Sequence, residues 1–266
     1  MIYNNPFSIL SETIPAIAMQ SFLIVMVALV ILGTLIDIIH KKNVKYFFEN
    51  AKKAKLAATR KLGSGEKFSI IAKTVVYDIG TTSELGAGKR RVAHLLGMYG
   101  TVLFWVASAI MIFCYSSSSA DTPSIWPIIW HVGAIMTVLG GSWFWFFLRV
   151  DVYSEAQPWY RIIKADLFVL ALIATSLFGL IWSYLQFLNL NDRWDDKVFL
   201  VLYVVSNLIL FGGVYWSKFA HMFYKPGAAI QKNLAEADGS RDNLPPPADK
   251  PEQFGLGIKR EAPKHY

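Results

Sequence analysis

The segment that most restricts this chain is Ile14–Ile39, IPAIAMQSFLIVMVALVILGTLIDII, which carries no charged side chain before Asp37. A helix rises about 1.5 Å per residue, so a run of this length covers a hydrocarbon core of about 30 Å. A helix on the surface of a soluble domain keeps one polar face, and this run has none. Four further runs of similar character follow, over Leu95–Tyr115, Trp126–Leu148, Ala165–Leu188 and Val198–Ser217. They predict an all-α integral membrane protein with five transmembrane helices. The whole sequence of 266 residues is 54% hydrophobic and 15% aromatic, above the share usual in soluble domains. Met1–Thr13 holds neither Lys nor Arg, so the basic start of a cleaved signal peptide is missing and the first helix is expected to stay.

Orientation follows from the basic residues. Residues 41–92, 149–164 and 218–266 hold all but two of the 26 Lys and Arg, the exceptions being Arg193 and Lys197. The positive-inside rule then places the N-terminus outside and the C-terminus in the cytoplasm of a multi-pass inner-membrane protein. This divides the chain into a first span (1–40), a basic cytoplasmic or interfacial loop (41–93), a four-helix membrane bundle (94–224) and an extended docking tail (225–266). In the loop, KKNVKYFFENAKKAKLAATRKL sets Val44, Phe47, Phe48 and Leu56 among lysines. That pattern suits a helix lying on an anionic leaflet, or a cytosolic helix with a solvated basic face. Phe68–Tyr77 is apolar but too short to span, which fits a re-entrant or partner-covered piece. The tail is rich in Pro, Gly and charge and cannot build a core. Its Leu244, Phe254, Leu256, Ile258 and Tyr266 are spaced as anchors on another protein.

Chemistry is confined to a few residues. With Cys114 the single cysteine, neither an internal disulfide nor a four-thiolate Fe–S cluster can form. No P-loop, HExxH, GxSxG or CxxC motif occurs, which leaves no hydrolase or NTPase chemistry. The positive charge is laid out by membrane side, so lipid rather than nucleic acid is the expected polyanion. His40 ends the first run, His94 opens the second, and His221 follows the fifth, so all three are expected at one membrane face. Imidazole is a common axial ligand, and His94 with His221 would suit a b-type haem, with His40 as the third candidate. Gly97, Gly100, Gly213 and Ser217 would leave room for a macrocycle. Arg90 and Arg91 could pair with its propionates or with a quinone headgroup. The plainer alternative is that these histidines and arginines only face phosphates, water or a partner. His131 lies near the other face, as a sole haem ligand, a quinone contact or a histidine bonded to a neighbouring helix. Asp37 and Asp166 read as partner or cap residues, Gly140 and Gly141 as a close helix crossing, and Trp126, Trp130, Trp182 and Trp194 as an aromatic belt.

The layout, with KRRVAHLLGMYG entering the second span, resembles membrane cytochrome b subunits of the nitrate reductase gamma and heterodisulfide reductase type. Those place haem ligands on the second and fifth spans, which here offer His94 and His221. Their two-haem members carry two histidines on each of those spans, whereas this chain has one on each. The stretches WSKFAHMFYKPGAA, FWFFLRVDV and ADGSRDNLPPPADKPEQFGLGIKREAPKHY look similar, over most of the chain, to the membrane-anchor subunit of adenylylsulfate (APS) reductase. That resemblance implies a membrane anchor and electron-transfer subunit linking a cytoplasmic flavin and Fe–S oxidoreductase, with APS reductase alpha and beta subunits as partners, to quinone. A cofactor-free structural anchor for the same enzyme is the alternative, and a transporter a third. Either way the chain is expected to be a quinone-reactive or non-catalytic subunit.

Overall fold

The computed structural model describes residues 1–85, 88–117, 119, 121–149, 158–188, 193–217, 219 and 221–240, which hold helices and no strand. The chain forms two compact units. One joins Met1–His40 to Arg90–Ala220, and the other joins Lys41–Lys89 to the chain from His221 onward.

The first unit is a helix bundle. It contains α1 (Pro6–Leu10), α2 (Ala16–Lys41, its last residue belonging to the other unit), α5 (Lys89–Cys114, its first residue likewise), α6 (Ile125–Trp143), α7 (Leu167–Phe187) and α8 (Trp194–Gly212). Among the described residues, four segments are long and apolar enough to cross a membrane: Ala16–His40, Lys89–Cys114, Ile125–Leu148 and Lys164–Phe187. Helix α8 is equally regular, but Asp195, Asp196 and Lys197 charge its first turn and shorten its apolar part.

Side-chain packing fixes the helix directions. Gln20 of α2 donates to the Ile112 carbonyl near the end of α5 (3.3 Å), so these two run antiparallel. A Cβ on Gly140 would lie 2.6 Å from the Ala93 carbonyl, and one on Gly133 would lie 2.6 Å from the Phe104 nitrogen, so α5 and α6 run antiparallel too. His131 pairs with Ser183 and Gly141 abuts Ile173, which reverses α7 against α6. Gly179 sits against Tyr203, while Leu172 and Leu210 share one cluster, which reverses α8. Gly33 of α2 meets Val214 just past α8, so those helices end together. The bundle therefore has a His40 end and a Cys114 end.

Helix α2 touches the others through Met19, Leu23, Met26, Val30, Gly33 and Asp37, the alternating 3- and 4-residue spacing of a helix seam. Its other faces stay exposed and apolar, with Ile24, Val25, Ile31, Leu32 and Ile39 open, as a lipid-facing helix requires. At the Cys114 end the core gathers Phe7, Phe104, Met111, Trp130, Trp182 and Tyr203. Trp130 and Trp182 are wholly buried here and do not belong to an interfacial belt. They bracket Phe7 at 6.0 and 5.9 Å, and Trp130 donates to Ser108. Helix α1 thus plugs this end of the bundle, a role that the sequence did not suggest. Asn5 caps it by accepting from the Phe7 nitrogen (3.0 Å) while donating to the Tyr115 carbonyl (2.8 Å).

The second unit packs α3 (Asn43–Leu56), α4 (Ser64–Lys73, prolonged by a π-helical turn over Thr74–Ile79) and α9 (His221–Ala237). Lys42, at φ 52°, separates α2 from α3. Two expectations change here. The region 225–237, expected to be extended tail, is helical, with Ala229 and Ala235 buried and Pro226 tolerated inside. His221 opens α9 instead of closing the fifth span, because helix α8 stops at Gly212, where Gly212 and Gly213 weaken further propagation. The remaining tail, 241–266, with all five expected anchors, lies outside the described residues.

Tertiary bonds also end α3 early. Thr59 and Arg60 donate their backbone N–H groups to the Asp238 carbonyl (3.0 and 3.2 Å), and the Arg60 side chain bonds the Ala237 carbonyl at 2.7 Å. A cation at the C-terminal carbonyls of α9 complements the helix dipole. Asn233 of α9 donates to Thr74 (2.8 Å) and to Asp78 (2.7 Å). The Ser83 hydroxyl, then Asn233, Lys232 and Lys73, hold the Asp78 carboxyl below its usual range against the opposing effect of burial.

Candidate functional site

The residues singled out by chemistry fall into two groups, one at each end of the bundle. At the His40 end, α5 begins at Lys89, six residues before the apolar run, so Arg90, Arg91 and His94 stand on its first two turns. Arg90 and His94 are four residues apart and share a face. Both arginines are half-buried and His94 is exposed. Gly97 lies three residues on from His94, and a Cβ built there would meet nothing within 4 Å, so this flank of α5 is open. Gly100 is different: a Cβ there would press to 2.7 Å on the Thr137 nitrogen, so it serves the crossing with α6 and leaves no room for a ligand. His40, in the last turn of α2, is exposed and sets its ring edge-on to Tyr215 at 5.7 Å.

His40, Arg90, Arg91 and His94 therefore share one end of the bundle. His221 belongs to the other unit, and its side chain lies outside the described residues. For a haem, the open flank beside His94 and the guanidinium one turn earlier fit one axial side. Among the described residues no three His, Cys, Asp or Glu side chains converge as a metal site, though haem iron would ask this chain for only two.

The same end holds a group that sequence reasoning missed. Helix α6 continues as a π-helical turn, Phe144–Leu148, and delivers Arg149 into the interior, where it is 1% exposed. Its guanidinium bonds Asp166 at 2.5 Å and the carbonyls of Pro158 (2.8 Å) and Arg161 (2.6 Å), with its carbon 4.2 Å from the Trp145 ring centre. The second task of Asp166 is to accept the Ile163 nitrogen at 2.9 Å ahead of α7. Asp166 stands at the N-cap position of α7 without a side-chain bond into that helix, and is instead one half of a buried ion pair.

At the Cys114 end, His131 is wholly buried. One ring nitrogen bonds the Pro127 carbonyl (2.7 Å) and the other the Ser183 hydroxyl (2.9 Å). Both nitrogens are engaged by helix neighbours, so His131 ties α6 to α7 and presents no nitrogen to a ligand. Asp196, in the first turn of α8, is buried with Oδ1 unbonded. Burial, then the charge of Asp195, pushes its carboxyl up to about 6 against the opposing pull of Lys197.

No family model, curated protein or solved structure matches this chain.

Proposed function

We propose that the chain is the membrane anchor and electron-transfer subunit of a cytoplasmic oxidoreductase, APS reductase being the partner that its sequence resembles, and that it links that enzyme to quinone at the His40 end of the bundle. The observation that carries this reading is the gathering of His40, Arg90, Arg91 and His94 at one end, beside the open flank at Gly97. In this reading five helices cross the inner membrane, with the N-terminus outside and both segments of the second unit in the cytoplasm. Support comes from parity. Thr59 and Asp238 are hydrogen-bonded, so residues 41–89 and 221–240 belong on one side of the membrane. The chain between them must cross an even number of times, which α5, α6, α7 and α8 supply and three helices would not.

His94 would be one axial ligand of a b-type haem and His221 the other, with His40 the alternative. Bound haem would supply one-electron transfer between quinone and the docked enzyme. The chain's own part is to hold an imidazole at the mouth of α5, keep Gly97 clear beside it, and offer Arg90 and Arg91 to carboxylates or quinone oxygens. The second unit and the tail would dock the enzyme. A cofactor-free anchor is the second reading, favoured by His221 opening α9 and not extending the fifth apolar helix.

A reduced-minus-oxidised optical spectrum of the purified chain separates the two. A b-type α band that disappears in His94→Ala supports the first reading, and its absence from the wild type leaves the second. Mild-detergent pull-down tests the partner: deleting Asn243–Tyr266 should release a flavin and Fe–S enzyme while the helices still insert.

A further inference from the structure

Helix α4 leaves part of the second unit uncovered. Its inner side carries the buried Thr74, bonded to Asn233 of α9, and the half-buried Ile70. Its other side shows Phe68, Ile71 and Val75, spaced three and four residues apart and so on one face, with 75%, 37% and 46% of their surfaces exposed. Val76 and Tyr77, on the π-helical turn, are also exposed but turn away from that face toward Lys73. Polar side chains normally occupy the solvent side of a short surface helix. Here that side is apolar, and Lys67 and Lys73 stand exposed at its margins.

We infer that this strip lies in the headgroup layer of the membrane, on an anionic leaflet, independently of any haem or protein partner. Two observations choose lipid as the occupant. Across residues 41–89, Lys and Arg outnumber Asp and Glu by eleven to four, which complements an anionic surface. The same segment starts where α2 ends and finishes where α5 begins, two membrane-length helices whose termini share the His40 end. Chain connectivity alone thus tethers it at both ends to one membrane face and keeps the local concentration of lipid high. An apolar strip that starts on an aromatic, Phe68, with lysines nearby is the usual composition of an interfacial helix. The short apolar stretch 68–77 is therefore neither core nor span.

The test uses the full chain with Cys114→Ser and single cysteines at Phe68, Ile71, Val75 and Ser69, each labelled with an environment-sensitive fluorophore. The protein is placed in nanodiscs of phosphatidylcholine with or without phosphatidylglycerol. Labels at 68, 71 and 75 should be quenched by lipids brominated near the glycerol. That quenching should be at least about twofold stronger with phosphatidylglycerol and should weaken when ionic strength rises about tenfold. The label at 69 should stay open to aqueous acrylamide throughout. Lys67→Gln with Lys73→Gln leaves the apolar strip intact and should abolish the dependence on phosphatidylglycerol at position 71. Equal acrylamide access at all four positions overturns the inference. So does shielding that persists in lipid-free amphipol, which means cover by the chain itself. Shielding that appears only with a bound protein, or quenching strongest from bromines at the bilayer centre, overturns it as well.

Discussion

Arg149 and Asp166 carry the largest electrostatic stake of any residue pair described. Both are nearly solvent-free, so removing one partner strands a charge that low dielectric penalises heavily. Arg149→Met should lower stability by about 3–5 kcal/mol, read as the unfolding midpoint of the detergent-solubilised protein. Arg149→Met combined with Asp166→Leu should recover much of that loss, because no orphan charge remains. An undiminished single variant would show that water reaches the site. Asp196 gives the opposite kind of test. Its folded carboxyl titrates near 6, above the 3.8 of the unfolded chain, so its contribution is fully present below about pH 4 and lost as pH rises through 6. Asp196→Asn should therefore raise the unfolding midpoint at pH 8 and leave it unchanged near pH 4, and a pH-independent effect would refute that environment. Neither the Arg149–Asp166 pair nor the burial of Asp196 was legible in the sequence. Arg149 read as one more inside charge and Asp166 as a cap, because a separation of 17 positions follows no helical contact spacing. Only the tertiary fold, which also sets the Pro158 and Arg161 carbonyls against the Arg149 guanidinium, makes them partners.

Among the elements, α5 and α6 show how small residues are divided between packing and open space. Lipid offers no hydrophobic incentive for helices to pair, so close backbone approach must supply the contact. Gly140 has the Gly97 nitrogen and the Ala93 carbonyl within 2.6 Å of where its Cβ would stand, and Gly133 and Gly100 face each other similarly. Gly140→Val should cost about 1–3 kcal/mol of stability through this overpacking. Gly97→Leu has nothing to strike and should change stability by less than about 0.5 kcal/mol. If haem occupies the flank beside His94, the same Gly97→Leu should remove the α band while the midpoint holds. A band that persists would move the cofactor elsewhere. Gly140 and Gly141 were readable as a crossing from sequence, since adjacent small residues in an apolar run have few other uses. Which of Gly97 and Gly100 packs and which stays open was not, because that depends on the rotation of α5. Helix α9 was missed for a related reason. Pro226 and Gly227 fall in the stretch read as a Pro- and Gly-rich tail, yet Pro226 sits close enough to the helix start to lose only one internal bond, and Arg60 and Asn233 fasten the rest.

For the whole molecule, hydropathy gave the helical class and four membrane-length helices, while charge gave the expected orientation. The proposed fifth crossing is where hydropathy is weakest, since α8 opens on two aspartates and a lysine. A four-span chain with its N-terminus outside would place residues 41–89 in the cytoplasm and residues 221–240 outside. It would then have to break the bonds from Thr59 and Arg60 to Asp238, from Arg60 to Ala237, and from Asn233 to Asp78. The unit that those bonds join makes a falsifiable statement about topology that hydropathy alone does not. With Cys114→Ser, single cysteines at Asn50, Asp121 and Ala228 sample the two segments of that unit and the Cys114 end, all at exposed positions. A membrane-impermeant maleimide applied to intact cells should label position 121 and spare 50 and 228 until the membrane is opened. Labelling of 228 together with 121 would mean that α8 does not cross, so α9 could not pack on α3 and α4. Labelling of 50 and 228 but not 121 would keep the five crossings and invert the protein, moving His40 and His94 away from any cytoplasmic enzyme.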